Sequence, residues 1–200
     1  MKLWFSTASP FVRKVRMAAI ELGLDDRVEL VEFGRPGPAS AVAADNPLGK
    51  VPTLVTDDGE AIYDSSVICE YLDGLAGSGR LLPTDFTERT RVKVLEALAD
   101  GVMDAGVLRI MESRRPENER SPAWVEKQTQ ACRQGLDGLE AVADRLGDGV
   151  SVAHIAICCG LGWLEFRSIE PDWRDSRPAL ADWYAGFSAR PSAQTTEPTD

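Results

Sequence analysis

A serine hydroxyl at the start of a helix is the first group in the sequence that could do chemistry. Ser9-Pro10 follows the strand-like stretch Lys2–Ser6, with Ser at the N-cap position and Pro at the first helical position. Free N–H groups and the helix dipole at such a terminus favour an anion. Lowering a thiol pKa from about 8.5 to about 6.5 needs roughly 2.7 kcal/mol, which a charge-assisted hydrogen bond plus the dipole can supply. Ser9 could therefore stabilise a bound thiolate; the alternative is that it only caps the helix.

A second segment could hold an extended peptide. Residues 46–54 read Asn-Pro-Leu-Gly-Lys-Val-Pro-Thr-Leu, and Pro52 stands directly before a predicted strand, where a cis peptide bond is permitted. Val51 would then offer its N–H and C=O to an extended ligand, and Lys50 could meet a carboxylate. The alternative is an ordinary loop that enters a strand.

A third segment could hold an α-amino-acid group. Asp64-Ser65-Ser66 begins a predicted helix, so the Ser65 hydroxyl and nearby N–H groups could bind a carboxylate while Asp64 binds an ammonium. The alternative is a helix cap built from Asp and Ser. The three segments together offer sites for a thiolate, an extended backbone and an amino-acid end group.

The elements that must position these groups alternate between strand and helix over residues 1–77. After the first strand and the helix that Gly23 ends, the sequence predicts strands at Val28–Phe33, Thr53–Thr56 and Ala61–Tyr63, and then a helix from Ser65. The β-α-β unit implies parallel strands, and the Asp57-Asp58-Gly59-Glu60 turn adds an antiparallel hairpin. Gly34–Pro38 interrupts regular structure. This order is the thioredoxin-like arrangement.

Residues 78–86 predict a linker, and residues 87–200 predict an all-helical domain. Helices are expected at Thr87–Arg115, Pro122–Leu146, Ser151–Arg167 and Pro178–Ala189. Because the third is apolar on all sides, we expect it at the centre of a bundle of four or more helices.

Composition and charge exclude several classes of function. The 200 residues carry 22 Lys and Arg against 32 Asp and Glu, a net charge of −10 that divides equally between residues 1–77 and 78–200. A basic face for nucleic acid cannot be built from that balance. No apolar run approaches the ~18 residues of a membrane span, and no signal peptide is recognised, so we expect a cytoplasmic protein.

The cysteines point away from redox and metal chemistry. Cys69, Cys132, Cys158 and Cys159 lack C-x-x-C spacing, so neither a zinc site nor a disulfide framework is predicted, and buried reduced thiols are expected. Redox proteins of thioredoxin-like fold carry C-x-x-C where this chain has Ser9-Pro10-Phe11-Val12, which excludes disulfide exchange.

Several motifs in the same order make the chain resemble the soluble glutathione S-transferase family over essentially its whole length, most closely bacterial members of the serine type. The resemblance is carried by S-P-F-V-R-K at 9–14, N-P-L-G-K-V-P-T-L at 46–54, D-S-S at 64–66, L-L-P at 81–83, R-P-A-L-A-D-W at 177–183 and A-R-P at 189–191.

The resemblance implies a glutathione transferase that activates the thiol for attack on a small hydrophobic electrophile. Ser9 would activate the thiol, Val51 would pair with the cysteinyl backbone before a cis Pro52, Asp64 and Ser65 would hold the γ-glutamyl end, and Lys50 would meet a carboxylate. The candidates for a hydrophobic pocket between the domains are Phe11, Met103, Val107 and Met111. Glutathione would be the co-substrate, with no tightly bound cofactor or metal, and the protein would be a homodimer.

Some features keep other interpretations open. Asp64 is shorter than the Glu of many family members, and Ser151-Val152-Ala153-His154 stands where the family has a Ser-x-x-Asp capping box, although Ser151 can still cap. Asp100 and Asp104 could reach a neighbouring subunit's glutathione or face solvent. Arg13, Lys14 and Lys50 are expected to supply positive charge around the anionic tripeptide. The alternatives are a glutathione-dependent peroxidase, isomerase or dehalogenase, although the isomerase Ser-Ser-Cys signature is absent, and a non-catalytic binding or interaction protein that retains the fold.

Overall fold

The first part of the chain forms a mixed sheet with helices packed against it. A computed structural model describes residues 1–33 and 41–200. The strands are β1 (Lys2–Phe5), β2 (Glu29–Glu32), β3 (Thr53–Val55) and β4 (Ala61–Ile62), in the order β2-β1-β3-β4. β1 is parallel to β2 and antiparallel to β3, with Trp4 opposite Thr53, and β3 is antiparallel to β4. The predicted parallel crossover and antiparallel hairpin are confirmed.

Helices α1 (Pro10–Leu22) and α2 (Ser65–Leu75) complete this part. Ser9 caps α1, and Gly23 ends it in the left-handed conformation at φ +70°, where its N–H bonds the carbonyls of Ala19 and Ile20. The local signals read from the sequence therefore set both ends of α1. The predicted break at Gly34–Pro38 lies outside the described residues.

The second part of the chain is helical. Its helices are α3 (Phe86–Ser113), α4 (Pro122–Glu140), α5 (Val152–Phe166), α6 (Trp173–Ser176), α7 (Pro178–Phe187) and α8 (Pro191–Thr195). Short 3₁₀ turns occur at Asp25–Arg27, Ala41–Ala44, Glu117–Glu119 and Ala143–Arg145. Twelve of the 15 residues of α5 are buried, which confirms that it is the central helix.

The largest difference from the predicted helix ends is at the end of α4. α4 ends at Glu140 instead of continuing to Leu146, and the Glu140 carboxylate accepts hydrogen bonds from the Ala179 and Leu180 N–H groups at 3.2 and 2.7 Å. It thereby caps α7, whose own N-cap residue, Arg177, contributes no side-chain cap. Helices α6 and α8 were not predicted, because four or five residues carry too little periodicity.

One apolar core joins the sheet, α1 and the helical part. The connection between α2 and α3 is ordered by the buried Asp73, whose carboxylate accepts hydrogen bonds from the Gly79, Arg80 and Leu81 N–H groups at 2.7–3.0 Å. The change from mixed to helical structure falls here, while the limits 1–77, 78–86 and 87–200 remain predictions. Among the described residues, no helix has both the length and the apolar character needed to cross a bilayer.

Candidate functional site

Sheet topology brings the three candidate segments to one end of the sheet. Because β3 is antiparallel to both of its neighbours, the start of β3 lies beside the ends of β1 and β4. Ser9 follows β1, Val51 precedes β3 and Asp64 follows β4. Adjacent strands lie about 4.8 Å apart, so the ends of β1 and β4, on either side of β3, are separated by about 10 Å. That distance matches about three extended residues.

Ser9 stands half-buried at the start of α1, and its hydroxyl oxygen makes a single hydrogen bond among the described residues. Its Oγ accepts a hydrogen bond from the Val12 N–H at 3.3 Å, which leaves the O–H free to donate to a ligand. Capping and ligand activation are therefore compatible uses of the same hydroxyl.

The segment before β3 presents an unpaired backbone. The Val51–Pro52 peptide bond is cis, and the Val51 N–H and C=O have no hydrogen-bond partner within residues 1–33 and 41–200. Asn46, which is buried, fixes this loop: its Nδ2 donates to Lys50 O at 3.2 Å and to Thr53 Oγ1 at 2.9 Å, and its Oδ1 accepts from the Leu48 N–H at 2.9 Å. Sequence reasoning missed this role of Asn46, although an Asn before Pro-Leu-Gly is typical of a turn.

Asp64 and Ser65 stand at the start of α2. Asp64 is exposed, follows a second cis peptide bond, and its carboxylate accepts from the Ser66 N–H at 3.1 Å. Ser65 is buried. The Ser66 hydroxyl accepts from Lys93 Nζ of α3 at 2.5 Å, so the helical part supports this helix start.

Trp163 of the central helix supports the loop before Ser9. Its indole Nε1 donates to Ala8 O at 2.9 Å. A Cβ on Gly106 of α3 would lie 2.9 Å from the Trp163 ring, so glycine leaves room for the indole. The sequence predicts only that this apolar helix is buried, because nothing local reveals a contact between Trp163 and a residue 155 positions away.

The expectation that Arg13 and Lys14 supply charge at the site is wrong. Lys14 is fully buried, and its Nζ pairs with Glu96 Oε1 at 2.7 Å and Asp100 Oδ2 at 2.8 Å of α3. Arg13 is also buried and donates from Nη2 to Ala193 O at 3.0 Å. Both side chains point into contacts between α1 and the helical part, so Lys50 is the one of the three predicted cations that stays exposed.

Two aspartates of α3 lie in different surroundings. Asp100 is bound by Lys14, although burial outweighs that cation and raises its pKa. Burial also raises the pKa of Asp104; the charge of Lys50 opposes the shift and that of Asp64 adds to it, which places Asp104 within the electrostatic range of the site in its own chain.

The four pocket candidates separate into core and surface. Met103 has no exposed surface and packs against Gly160 of α5, so its assignment to an open pocket is corrected to core. Phe11 and Val107 are half-buried, and Met111 is exposed. Met103 lies on the face of α3 that α5 covers, which its apolar character alone could not distinguish.

The cysteines match the sequence interpretation. All four are free and buried, and burial raises the pKa of Cys132 and Cys158 to about 11. Thiols with such pKa values are protonated at neutral pH and are poor nucleophiles. Within the described part of the chain, no group of three or more His, Cys, Asp or Glu side chains could hold a metal ion.

Comparison with known sequences identifies the family. The model of the glutathione S-transferase N-terminal domain matches residues 8–75, and that of the glutathione S-transferase C-terminal domain matches residues 122–186. The chain belongs to the glutathione S-transferase family. The fold expectation is confirmed with it, as a thioredoxin-like N-terminal domain followed by a helical C-terminal domain.

Similar members of the glutathione S-transferase family come from bacteria. The Escherichia coli K12 protein named "Uncharacterized GST-like protein YibF" is 40% identical over 204 residues, covering 99% of this chain and 98% of its own. A glutathione S-transferase from Methylobacillus flagellatus KT, solved with GSH bound, is 42% identical with a TM-score of 0.92 over 99% of both chains. A glutathione transferase family member from Pseudomonas fluorescens Pf-5, solved with glutathione bound, is 39% identical with a TM-score of 0.94, covering 100% of this chain and 99% of its own.

Proposed function

We propose that this protein is a serine-type glutathione transferase, which activates the glutathione thiol for attack on a small hydrophobic electrophile. The observation that carries the proposal is the meeting of three segments at one sheet end: a free hydroxyl, an unpaired backbone and a helix start adjoin three neighbouring strands, whose ends span about the length of a tripeptide. Two related structures that cover nearly the whole chain were solved with glutathione, which supports the same ligand here.

Each part of glutathione has a counterpart in this arrangement. The Ser9 O–H donates to the thiolate, and the N-terminus of α1 adds its positive potential. The cysteinyl backbone pairs with the Val51 N–H and C=O next to the cis Pro52. Asp64 accepts from the γ-glutamyl ammonium, while Ser65 and the N-terminus of α2 take the adjacent carboxylate. Exposed Lys50 meets the carboxylate at the other end of the tripeptide.

The electrophile would sit beside the thiolate against Phe11, Val107 and Met111. These side chains come from α1 and from the C-terminal half of α3, and they keep partly or largely exposed apolar surface. Binding both reactants there lowers the barrier through positioning as well as through the lowered thiol pKa. A carboxylate near this space, Asp104, disfavours anionic electrophiles.

We further propose that the chain forms a homodimer through α2 and the start of α3. Phe86, Val94 and Val67 are 81%, 62% and 51% exposed, which is unusual for large apolar side chains. An ion pair between Arg89 and Glu70 joins the two helices, so these apolar groups belong to one region of the surface. A second copy of the chain would cover it.

Ser9→Ala tests the proposed role of the hydroxyl. We expect the pKa of bound glutathione to rise by about 1–2 units, since a hydrogen bond to a charged group contributes about 1.5–3 kcal/mol. Ultraviolet titration of the bound thiolate measures this. Ser9→Gly, which keeps more of the helix cap, should behave like Ser9→Ala, and Ser6→Ala in the same loop is the matched control. An unchanged titration in both Ser9 variants would remove the hydroxyl from the mechanism.

Turnover separates the transferase from the alternatives. Retention on immobilised glutathione followed by conjugation of a generic aryl halide supports a transferase. Retention without turnover of aryl halides, peroxides or haloalkanes would instead indicate a binding protein of the same fold.

A further inference from the structure

A cavity beside α1 includes none of Ser9, Val51 and Asp64 among its lining residues. It has a volume of about 530 Å³ and is bounded by residues of α1, α5, α6, α7 and α8 and by the segment that follows α8. Arg13, Gly162, Tyr184 and Glu197 are among its lining residues. The volume is in the range of small-molecule sites.

Two N–H donors of the Arg13 guanidinium in this cavity have no hydrogen-bond acceptor among the described residues. The residue is only 4% exposed, and Nη2 alone donates, to Ala193 O. Nε and Nη1 are buried and have no hydrogen-bond partner among the described residues. Buried donors are nearly always satisfied in folded proteins, so these two N–H groups call for an acceptor that the described chain does not supply.

The positive charge of Arg13 also lacks a bonded counter-charge. Glu165, on the cavity wall, is already bound by Arg174 at 2.5 Å and by Trp173 Nε1 at 3.2 Å. Glu197 is exposed and makes no bond to the guanidinium. Arg16, one turn further along α1, adds a second cation, and the charge of Arg13 lowers its pKa in addition to burial. A buried cation without a partner is unfavourable, so the surroundings favour an anion.

Tyr184 places a hydroxyl beside the guanidinium. A Cβ on Gly162 would lie 2.4 Å from Arg13 Nη1 and 2.8 Å from Tyr184 Oη, so both polar groups converge on the same glycine. Tyr184 is 6% exposed, and its hydroxyl makes no hydrogen bond within residues 1–33 and 41–200. Gly162 is therefore required for space, because a side chain there would displace both groups.

We propose that this cavity binds a small oxyanion, a carboxylate or a phosphate, through Nε and Nη1 of Arg13 and the hydroxyl of Tyr184. Guanidinium and phenol are both donors, and the oxygens of such anions accept several hydrogen bonds at once. Gly162 keeps the space open, and Arg16 adds to the positive potential. The site is separate from the proposed glutathione site and does not rest on it.

Calorimetric titration with inorganic phosphate and, in a separate arm, with succinate tests the proposal. The full chain is kept in a buffer free of both anions and of other carboxylates, and the Tyr184→Phe variant distinguishes this cavity from the proposed glutathione site. We expect one-to-one binding of at least one anion. Tyr184→Phe should weaken it about ten-fold, the effect of one hydrogen bond to a charged group. Tyr71→Phe, remote from the cavity, is the matched control and should bind like the wild type.

Further variants identify what the anion contacts. Gly162→Ala should weaken binding as Tyr184→Phe does, and Ser9→Ala should leave it unchanged. Arg13→Lys should weaken anion binding if that variant folds. If it does not fold, the comparison of Tyr184→Phe with Tyr71→Phe tests the proposal alone. The proposal is overturned if neither anion binds at millimolar concentration, or if Tyr184→Phe and Tyr71→Phe bind alike. Binding that appears only in Glu197→Gln would also overturn it, because the Glu197 carboxylate would then be the natural occupant.

Discussion

At the scale of single residues, several side chains near the candidate site fix the position of its backbone segments. They contribute to the proposed glutathione chemistry by positioning other residues. Trp163 holds Ala8 O, Asn46 holds the loop before Pro52, and Lys93 holds Ser66. Each contact lies next to one of the residues proposed to touch glutathione. A site assembled from three separate segments needs such supports, because small displacements of any segment weaken the whole arrangement.

Asn46→Ala is predicted to weaken both the fold and glutathione binding. The variant leaves the Leu48 N–H and the Lys50 carbonyl with one partner fewer, so unfolding should become easier by about 1–3 kcal/mol. The Val51 backbone should lose its fixed position, which raises the Kd for glutathione. Denaturant unfolding and calorimetry measure the two effects. Asn118→Ala, on an exposed turn, is the control, and equal behaviour of the two variants would contradict the role of Asn46.

At the scale of helices, the bundle depends on close approach between α3 and α4. A Cβ on Gly135 of α4 would lie 2.4 Å from Val102 Cγ2 of α3. Gly135 therefore allows the two helices to pack closely at this point. Glycine lowers the intrinsic stability of a helix, and the close packing against α3 compensates for that loss.

Gly135→Ala should destabilise the protein by about 1–3 kcal/mol, because overpacking exceeds the gain in helix propensity. Gly101→Ala, within α3 and with nothing within 4 Å of the added Cβ, should instead stabilise it by up to about 1 kcal/mol. Denaturant unfolding of both variants gives the comparison. A stabilising effect at Gly135 would show that α3 and α4 are less tightly packed than described.

The start of α5 gives the fold a pH dependence. The His154 ring contacts Ser151 Oγ through Nδ1 at 2.8 Å and Leu146 O through Nε2 at 2.9 Å. Since a carbonyl only accepts, Nε2 carries the proton and Nδ1 accepts from the Ser151 O–H. Ser151 also caps α5 by accepting from the His154 N–H at 3.4 Å. Burial is the main cause that lowers the pKa of His154 in the folded chain.

Stability is therefore predicted to fall as the pH drops below the ordinary histidine pKa of about 6.5. Below that pH the His154 side chain binds a proton in the unfolded chain. In the folded chain it stays neutral until the pH reaches its lowered pKa, so acid favours the unfolded chain. Melting temperatures of wild type and His154→Gln between about pH 7.5 and about pH 5.5 test this. The drop should be smaller in the variant. Parallel curves would mean that carboxylates alone account for the pH dependence.

At the scale of the whole molecule, the exposed apolar region on α2 and α3 predicts self-association. The double variant Phe86→Asp with Val94→Asp should shift the protein from dimer to monomer, because two charges would be buried in the interface. Sedimentation velocity measures the state. Leu48→Asp, at a side chain 67% exposed but outside the region, is the control. A wild-type protein that sediments as a monomer would contradict the proposed dimer.

Much of the fold follows from signals that act within a few residues. Ser9, Asp64 and Ser151 mark helix starts, Gly23 marks a helix end, and the alternation of strands and helices predicts the parallel pair β1–β2 and the antiparallel hairpin β3–β4. The structure pairs β3 antiparallel with both β1 and β4, which brings the three candidate segments together, since antiparallel neighbours bring the end of one strand to the start of the next.

Other features depended on contacts between distant residues. The sequence placed Lys14 at the ligand and Met103 in a pocket, and the fold buries both against other helices. It also gave no sign that Glu140 caps α7 or that Trp163 holds the loop before Ser9. A helix such as α3, covered on different faces by α4, α5 and α1, has no single apolar stripe from which its facing could be read.

The sequence by itself thus determined the elements, their order and the residue types at the proposed glutathione site. Capping, turn formation and hydrophobic periodicity depend on residues that are close in the sequence, so they can be recognised without knowledge of the tertiary structure. Only the tertiary structure decided which charges face the ligand and which are buried between the domains, because that depends on how α1 is rotated against α3, α5 and α8. The same orientation of α1 that removes Arg13 from the proposed glutathione site places it in the wall of the cavity that also contains Tyr184.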